Sequence, residues 1–564
     1  MPAFGTAQAL EPENLHDDFG RLGPRFLNTY EGKLVGIARP IQGSSQASIF
    51  PSRLVGPDGA TFLTAQPYPD YVVISYTWGR WKHPSRDLDT PVLGGHWNVP
   101  ANHLFSREDL DAAVRKIADG GNAWLDVLCI PQIDKDPEHA QEIGKQSEIF
   151  RSASRAAVWL ASGGEKTLAE ICSWVPETSY LIRPDILRLP DMLDIRSGAI
   201  DLTETRRRLR LIASLTKQVP WTTSLWTLQE AALRLDAIFF DQKGNAVRHE
   251  KTGNPITIKH LIKTMRHVSE SLQQIIDPLD EARNILNRPN LLNASEADIK
   301  DVLEALDAVN TINLHRLLSM NASELLLTST HRTCERLHDR VYRIMGAIGV
   351  VVPVDYDKDA SEIMDMFLVE LHNQLPSEMQ SFHRDSMRRP STRPWLADES
   401  SRSLGIIRQL SAPPTRIFTG ITTTGELAVS ELIYISDCGL DALTARFLTE
   451  AVLPAFDTFA FSKMTNGAIH TKDSRTTGRE SYVLACFLLR FVATKIQLGL
   501  IPLGKVMGME ILGWSCMYML VGSDEKPSPT AHGSTRRRFR RLGVMVLAEE
   551  LLTDEPLRGE FSIY

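Results

Sequence analysis

A carboxylate, Glu230, stands four residues after a tryptophan, Trp226, in the otherwise apolar run SLWTLQEAALR (Ser224 to Arg234). Residues four apart share one face of a helix, so the pair would present an aromatic plate beside a carboxylate. Leu225, Leu228, Ala232 and Leu235 fill another face, the one expected to pack inward. Glu230 is therefore a candidate site carboxylate at the edge of a core. Its structural alternative is an ion pair with Arg234, one turn further on. A second carboxylate, Asp126, sits inside the apolar run WLDVLCI (Trp124 to Ile130). There it costs several kcal/mol unless paired or hydrogen-bonded, which points either to a bond with loop backbone or to a site.

These residues need elements to hold them. Tyr71 to Tyr76 (YVVISY) is a short β-rich run that reads as a buried strand entering the loop Thr77-Trp78-Gly79. Ser106 is placed to cap a helix with Glu108 and Asp109 in its first turn, and Gly120-Gly121 stops it. Trp124 to Ile130 reads as a second strand closed by Pro131, and Ala156 to Ala161 as a third. Helical patterns over 138–153 and near 167–174 follow the second and third strands. Alternating strands and helices predict an α/β fold, an open parallel sheet covered by helices on both faces. Ligands of such sheets bind at the strand C-termini, here Trp78-Gly79, Cys129 to Gln132 and Ser162 to Gly164.

The chain divides into a Pro-, Gly- and Ser-rich leader with short elements (1–67), the α/β region (68–245, with an irregular insertion near 175–220), a helical region (246–385) and a β-rich α+β region (386–564). At 564 residues, more than one core is expected. A net charge of −7 gives no electrostatic case for nucleic acid, and the basic runs TRRRLR (205–210) and TRRRFRR (535–541) read as solvated faces. Six scattered cysteines show no metal spacing; with no signal peptide visible, they fit reduced thiols in a cytoplasmic protein. The most apolar stretch, 481–521, is interrupted by charges and predicts no membrane span. Cys129 reads as a buried small hydrophobe, and His83 and His139 lack partners at useful spacing, so no metal is expected. No GxGxxG run exists, which disfavours a dinucleotide-binding dehydrogenase.

Four of these motifs, in order, resemble the fungal heterokaryon-incompatibility (HET) domain: Ile74-Ser75-Tyr76-Thr77-Trp78-Gly79, Trp124 to Gln132, Ile149 to Ala153 with Val158 to Ala161, and Trp226-Thr227-Leu228-Gln229-Glu230. Downstream, Asp339 to Gly346 (DRVYRIMG) and Val354-Asp355-Tyr356 resemble segments that follow such domains, and Arg393 to Asp398 a degraded form of a third. The pattern departs from the family at Pro131, where Asp or Asn is usual, at Ser224, where Arg is usual, and at Glu138-His139, where Glu-Arg is common.

HET domains resemble Toll/interleukin-receptor (TIR) domains, and that likeness implies a TIR-like sheet and NAD⁺ glycohydrolase chemistry with no cofactor. Glu230 would be catalytic; Ser75, Tyr76, Trp78, Gly79, Asp126 and Trp226 would bind the substrate, NAD⁺ or a related nucleotide. The resemblance also implies a role in self/non-self recognition and programmed cell death, a form of fungal innate immunity. Self-association or a partner incompatibility protein would accompany that role. The alternative is a non-catalytic TIR-like signalling or assembly module.

Overall fold

A computed structural model describes residues 50–77, 82–83, 88–133, 136–175, 202–286 and 296–319. It also describes 322–375 apart from single positions and, after those, chiefly separate strands. The chain forms two units, one of residues 1–320 and 328–356, the other of 321–327 and 357–564.

The first unit is built on a six-stranded mixed sheet of β1 (Arg53–Val55), β2 (Thr61–Leu63), β3 (Tyr71–Ser75), β6 (Asn122–Trp124), β7 (Arg155–Trp159) and β8 (Ile238–Phe240), in the order β2-β1-β6-β3-β7-β8. The four strands β6, β3, β7 and β8 are parallel to one another. All five residues of β3, the run YVVIS, are buried, as expected for a strand covered on both faces.

The expected wholly parallel sheet needs correction at one edge. β1 pairs antiparallel with both β2 and β6. The β1–β2 link, Gly56 to Ala60, is too short for a crossover and closes instead through a turn, with Gly59 donating to the Gly56 carbonyl at 2.9 Å. A small ladder of β4 (Thr90–Pro91) and β5 (Asn98–Val99) lies apart from the sheet.

Helix α1 (Arg107–Ala118) joins β3 to β6. Ser106 and Asp109 form a reciprocal capping box at its start, and Leu110, Ala113, Val114 and Ile117 are buried. The next element also differs from expectation. The strand ends at Trp124, and Asp126–Cys129 is a single helical turn, α2. A short run that is apolar apart from one residue has no period by which to tell a buried strand from a buried turn. Helix α3 (Pro137–Ser152) then leads to β7, so the chain leaves β3 on one side, crosses it and continues on the other. That reversal puts a crevice at the C-terminal end of β3.

Helices α4 (Glu165–Cys172) and α5 (Leu202–Gln218), the 3₁₀ turn Pro220–Thr223 and α6 (Trp226–Leu233) fill the span between β7 and β8. Residues 176–201 lie outside the described residues, but part of the expected irregular insertion is the helix α5. Leu209, Ile212 and Leu215 line its buried face. The basic run of 205–210 lies on the rest of it: Arg207 pairs with Glu170 and Glu204, Arg208 with Glu204, and Arg210 with Asp301.

Helices α7 (Ile258–Leu286), α8 (Glu296–Ile312) and α10 (Asp339–Ile348) make the helical part of the first unit, while most of α9 (Ala322–Thr330) and all of α11 (Ala360–Gln374) belong to the second. That unit is β-rich. Its main sheet runs as an antiparallel meander through β10 (Gln497–Val506), β11 (Ser515–Ser523) and β12 (Arg537–Ala548), to which β13 (Leu557–Ile563) adds in parallel and β9 (Leu427–Tyr434) antiparallel to β13. In the second basic run, Arg538 of β12 pairs with Glu426. Among the described residues no helix is long and apolar enough to cross a membrane.

Candidate functional site

Ser75 is the last residue of β3, and its buried hydroxyl is held from two sides. The Trp221 indole N–H, which can only donate, reaches Ser75 Oγ at 2.7 Å. The Ser75 proton is thereby directed the other way, to Glu230 Oε2, which accepts it in a hydrogen bond. Trp221 sits in the 3₁₀ turn just before α6, edge-on to Phe239 of β8 at 5.4 Å between ring centroids. Thr227 Oγ1 donates to the Trp221 carbonyl at 2.6 Å, tying that turn to the first turn of α6. The chain Trp221–Ser75–Glu230 thus fixes the carboxylate's orientation against the end of the central strand.

Glu230 is only 6% exposed. The expected alternative, a pair with Arg234, does not form. The Arg234 guanidinium donates to the Phe150 carbonyl at 3.1 Å and the Ala153 carbonyl at 2.7 Å, and it pairs with Asp236 at 2.8 Å. Burial pushes the Glu230 carboxyl well above the ordinary carboxylate range. The Ser75 hydrogen bond opposes that shift, the Asp126 charge adds to it, and the Arg343 charge opposes it.

Asp126 opens α2 and is half-buried rather than sealed inside a strand. Its Oδ1 accepts from the Val127 amide at 2.6 Å. It also hydrogen-bonds Tyr76, the residue following β3. Burial and the neighbouring Asp126 and Glu230 charges hold the Tyr76 phenol well above its usual range, so it stays a neutral donor. The Tyr76 ring lies 5.9 Å from that of Trp159. Ser75, Tyr76, Asp126 and Glu230 are therefore brought together at one end of the sheet. Trp78 and Gly79 lie outside the described residues.

Trp226 is near this group, with one face of its ring covered: the Arg343 guanidinium carbon lies 3.2 Å from the ring centroid. Arg343 is on α10 and donates to Asp339 Oδ2 at 2.6 Å, and Tyr356 donates to Asp339 Oδ1 at 3.0 Å. Tyr342 and the backbone of Asp355 exchange hydrogen bonds of 2.8 and 2.9 Å. The two downstream motifs, DRVYRIMG and VDY, therefore interlock through Asp339–Tyr356 and Tyr342–Asp355. At Gly346 of the first motif, a Cβ would collide with Ser147 of α3, and Arg151 of α3 donates to the Gly346 carbonyl at 2.6 Å.

The three departures from the family pattern each have a structural partner. His139 Nδ1 lies 2.7 Å from the Pro131 carbonyl, so two of the altered positions bond to each other, with the ring proton on Nδ1. Glu138 pairs with Arg53 of β1, which also lies 5.2 Å over the Trp97 ring. Ser224 lacks a guanidinium of its own, and Arg332 donates to its carbonyl at 2.7 Å.

Sequence reasoning passed over Trp221 and Arg332, and read Asp339 and Arg343 only as members of a downstream motif, without a place at the site. The signals available were the Pro220 break before α6 and the helical spacing of Asp339 and Arg343 in the downstream motif.

The Gly163-Gly164 loop, one of the expected strand ends, is structural. The Gly163 amide donates to the Leu160 carbonyl at 3.1 Å. Gly164 has φ +89°, and a Cβ there would strike the Gln218 carbonyl just before the turn that carries Trp221. Gly164→Ala is expected to destabilise the first unit by about 3 kcal/mol, from left-handed strain plus overpacking. A denaturant midpoint unchanged from the parent would refute this. Burial pushes the Cys129 thiol up to about 12, which leaves no thiolate near neutral pH. Among the described residues no group of His, Cys, Asp and Glu is placed to hold a metal ion.

No curated protein and no solved structure matches the chain. Residues 71–230, from the first residue of β3 to Glu230 itself, match the family model described as Heterokaryon incompatibility protein (HET). Residues 71–230, which carry the parallel strands β3, β6 and β7 and the carboxylate site, therefore form a heterokaryon-incompatibility domain within the chain.

Proposed function

We propose that this HET-domain protein hydrolyses the nicotinamide N-glycosidic bond of NAD⁺, with Glu230 as the catalytic carboxylate, in fungal self/non-self recognition and the cell death that follows. The observation that carries this reading is Glu230 itself. It is buried at the C-terminal end of the central strand, oriented by Ser75 and Trp221, and without the Arg234 partner its helix offers.

In the reaction the C1′–N bond breaks and its electron pair passes to the ring nitrogen, so nicotinamide leaves neutral. A water oxygen bonds to C1′ and loses its proton, giving ADP-ribose and H⁺. The ribose passes through an oxocarbenium-like state, and no general acid is needed for a leaving group that is already cationic. Glu230 faces that charge, Tyr76 and Asp126 flank it, and Trp78 is proposed to stack on a base or on the nicotinamide ring.

The raised affinity of Glu230 for a proton suits a substrate whose reacting ring is cationic. Burial favours the protonated form of Glu230, and the positive ring of a bound substrate would favour the carboxylate. Turnover should therefore rise with pH as Glu230 ionises.

A second reading is a non-catalytic assembly module, favoured by the low exposure of Glu230 and by the Arg343 cover on Trp226. Nicotinamide release by the full-length chain, measured over a range of protein concentrations, separates the two. Release that climbs more steeply than concentration is expected if self-association gates the site. Absence of release from any preparation, including clustered protein, would overturn the enzymatic reading.

A further inference from the structure

We propose that Arg343 is a positioning residue for Glu230. Held by Asp339 against the Trp226 ring, its guanidinium supplies the positive charge that α6 does not give its own carboxylate, so the working site extends to Tyr356. This rests on the reading of Glu230 as the site carboxylate.

Three observations converge. The segment that follows the matched family region, residues 332–356, is part of the same unit as the sheet. Arg343 and Asp339 are both almost fully buried, and a cation on a tryptophan face with a carboxylate behind it is a fixed arrangement rather than a surface contact. The Trp226 ring that carries Arg343 stands one helical turn before Glu230 on α6, and the Asp126, Tyr76 and Arg343 charges and hydrogen bonds couple to this carboxylate. The other nearby groups are engaged elsewhere. Arg234, which caps the C-terminal end of α6, is turned to backbone carbonyls and Asp236, and the buried Glu142 of α3 is held by Ser52 and Lys145.

Asp339 then acts as a governor on that cation. It holds the guanidinium in place and offsets part of its field, while Tyr356 takes the second oxygen of the carboxylate.

The test is the titration of Glu230 in the full-length chain, labelled with glutamate carrying ¹³C at the side-chain carboxyl. Its signal is identified by its disappearance in Glu230→Gln. Arg343→Gln, which keeps a planar hydrogen-bonding group without charge, is expected to raise the Glu230 midpoint by about one pH unit. Arg343→Lys should leave it near the parent value. Asp339→Asn should lower it, because the cation loses its offsetting anion. A merely structural role would move the two neutralising variants in the same direction, or not at all, and either result overturns the proposal.

Should Arg343→Gln fail to fold, the fall in Asp339→Asn decides the matter alone, and its absence refutes the proposal. The titration is read without turnover. Failure to release nicotinamide would therefore sink the glycohydrolase reading, while the midpoints alone decide the role of Arg343.

Discussion

Glu230→Gln is expected to lower nicotinamide release by about 10³-fold, and to make the folded protein more stable at neutral pH than the parent. The first effect follows from removing the one negative group aimed at the developing oxocarbenium charge, where electrostatic groups are commonly worth about 10²–10³ in rate. The second follows from linkage. Burial raises the Glu230 carboxyl above its ordinary value of 4.5, so the folded chain retains a proton that the unfolded chain gives up. The stability this group contributes is whole below that ordinary value and is lost as pH rises through the folded value. Glutamine has no proton to lose.

Thermal midpoints of the two forms should therefore be close in acid and separate progressively as pH rises, with Glu230→Gln higher. A separation independent of pH would mean that Glu230 does not titrate as its burial requires. Unchanged release would remove Glu230 from the chemistry.

The largest purely structural effect is expected at Arg332. This side chain is fully buried among polar groups rather than beside a carboxylate. It donates to the Ser224 carbonyl at 2.7 Å, to the Ile312 carbonyl at 3.0 Å and to Thr227 Oγ1 at 3.4 Å. Burial lowers its pKa to about 9, which leaves it charged at neutral pH. Arg332→Met keeps the volume and removes the donors, leaving two buried carbonyls unpaired at about 1–3 kcal/mol each. Relief of the buried charge returns part of that.

The net loss should be about 3 kcal/mol, read as the first transition in denaturant unfolding of the full-length chain. Arg332→Lys should recover little, because a single ammonium cannot fork to two carbonyls. A loss under about 1 kcal/mol for Arg332→Met would show that the site relaxes around the change. Because Ser224 and Thr227 flank the start of α6, the same variant should also loosen the helix that bears Glu230.

These two residues mark the division between sequence and fold. Glu230 was legible because helical spacing and the order of four motifs are local properties of the chain. The buried β3, the capped α1 and the helix after Pro137 were legible for the same reason: capping residues and apolar periodicity act over a few positions. Runs without a period misled. The turn Asp126–Cys129 read as strand because every register of WLDVLCI looks equally buried, and the antiparallel β1–β2 edge was hidden in a segment read as leader.

The sequence by itself determined that a HET-type α/β region exists, the order of its parallel strands' motifs and the carboxylate on α6. Tertiary structure alone decided which groups surround that carboxylate. Nothing local places Trp221 on Ser75, 146 residues away, sends Arg234 to backbone carbonyls instead of Glu230, or brings Arg343 onto Trp226. The physical reason is that a buried charge or donor must find its partners wherever packing leaves them, and those partners are set by which elements pack together rather than by spacing along the chain.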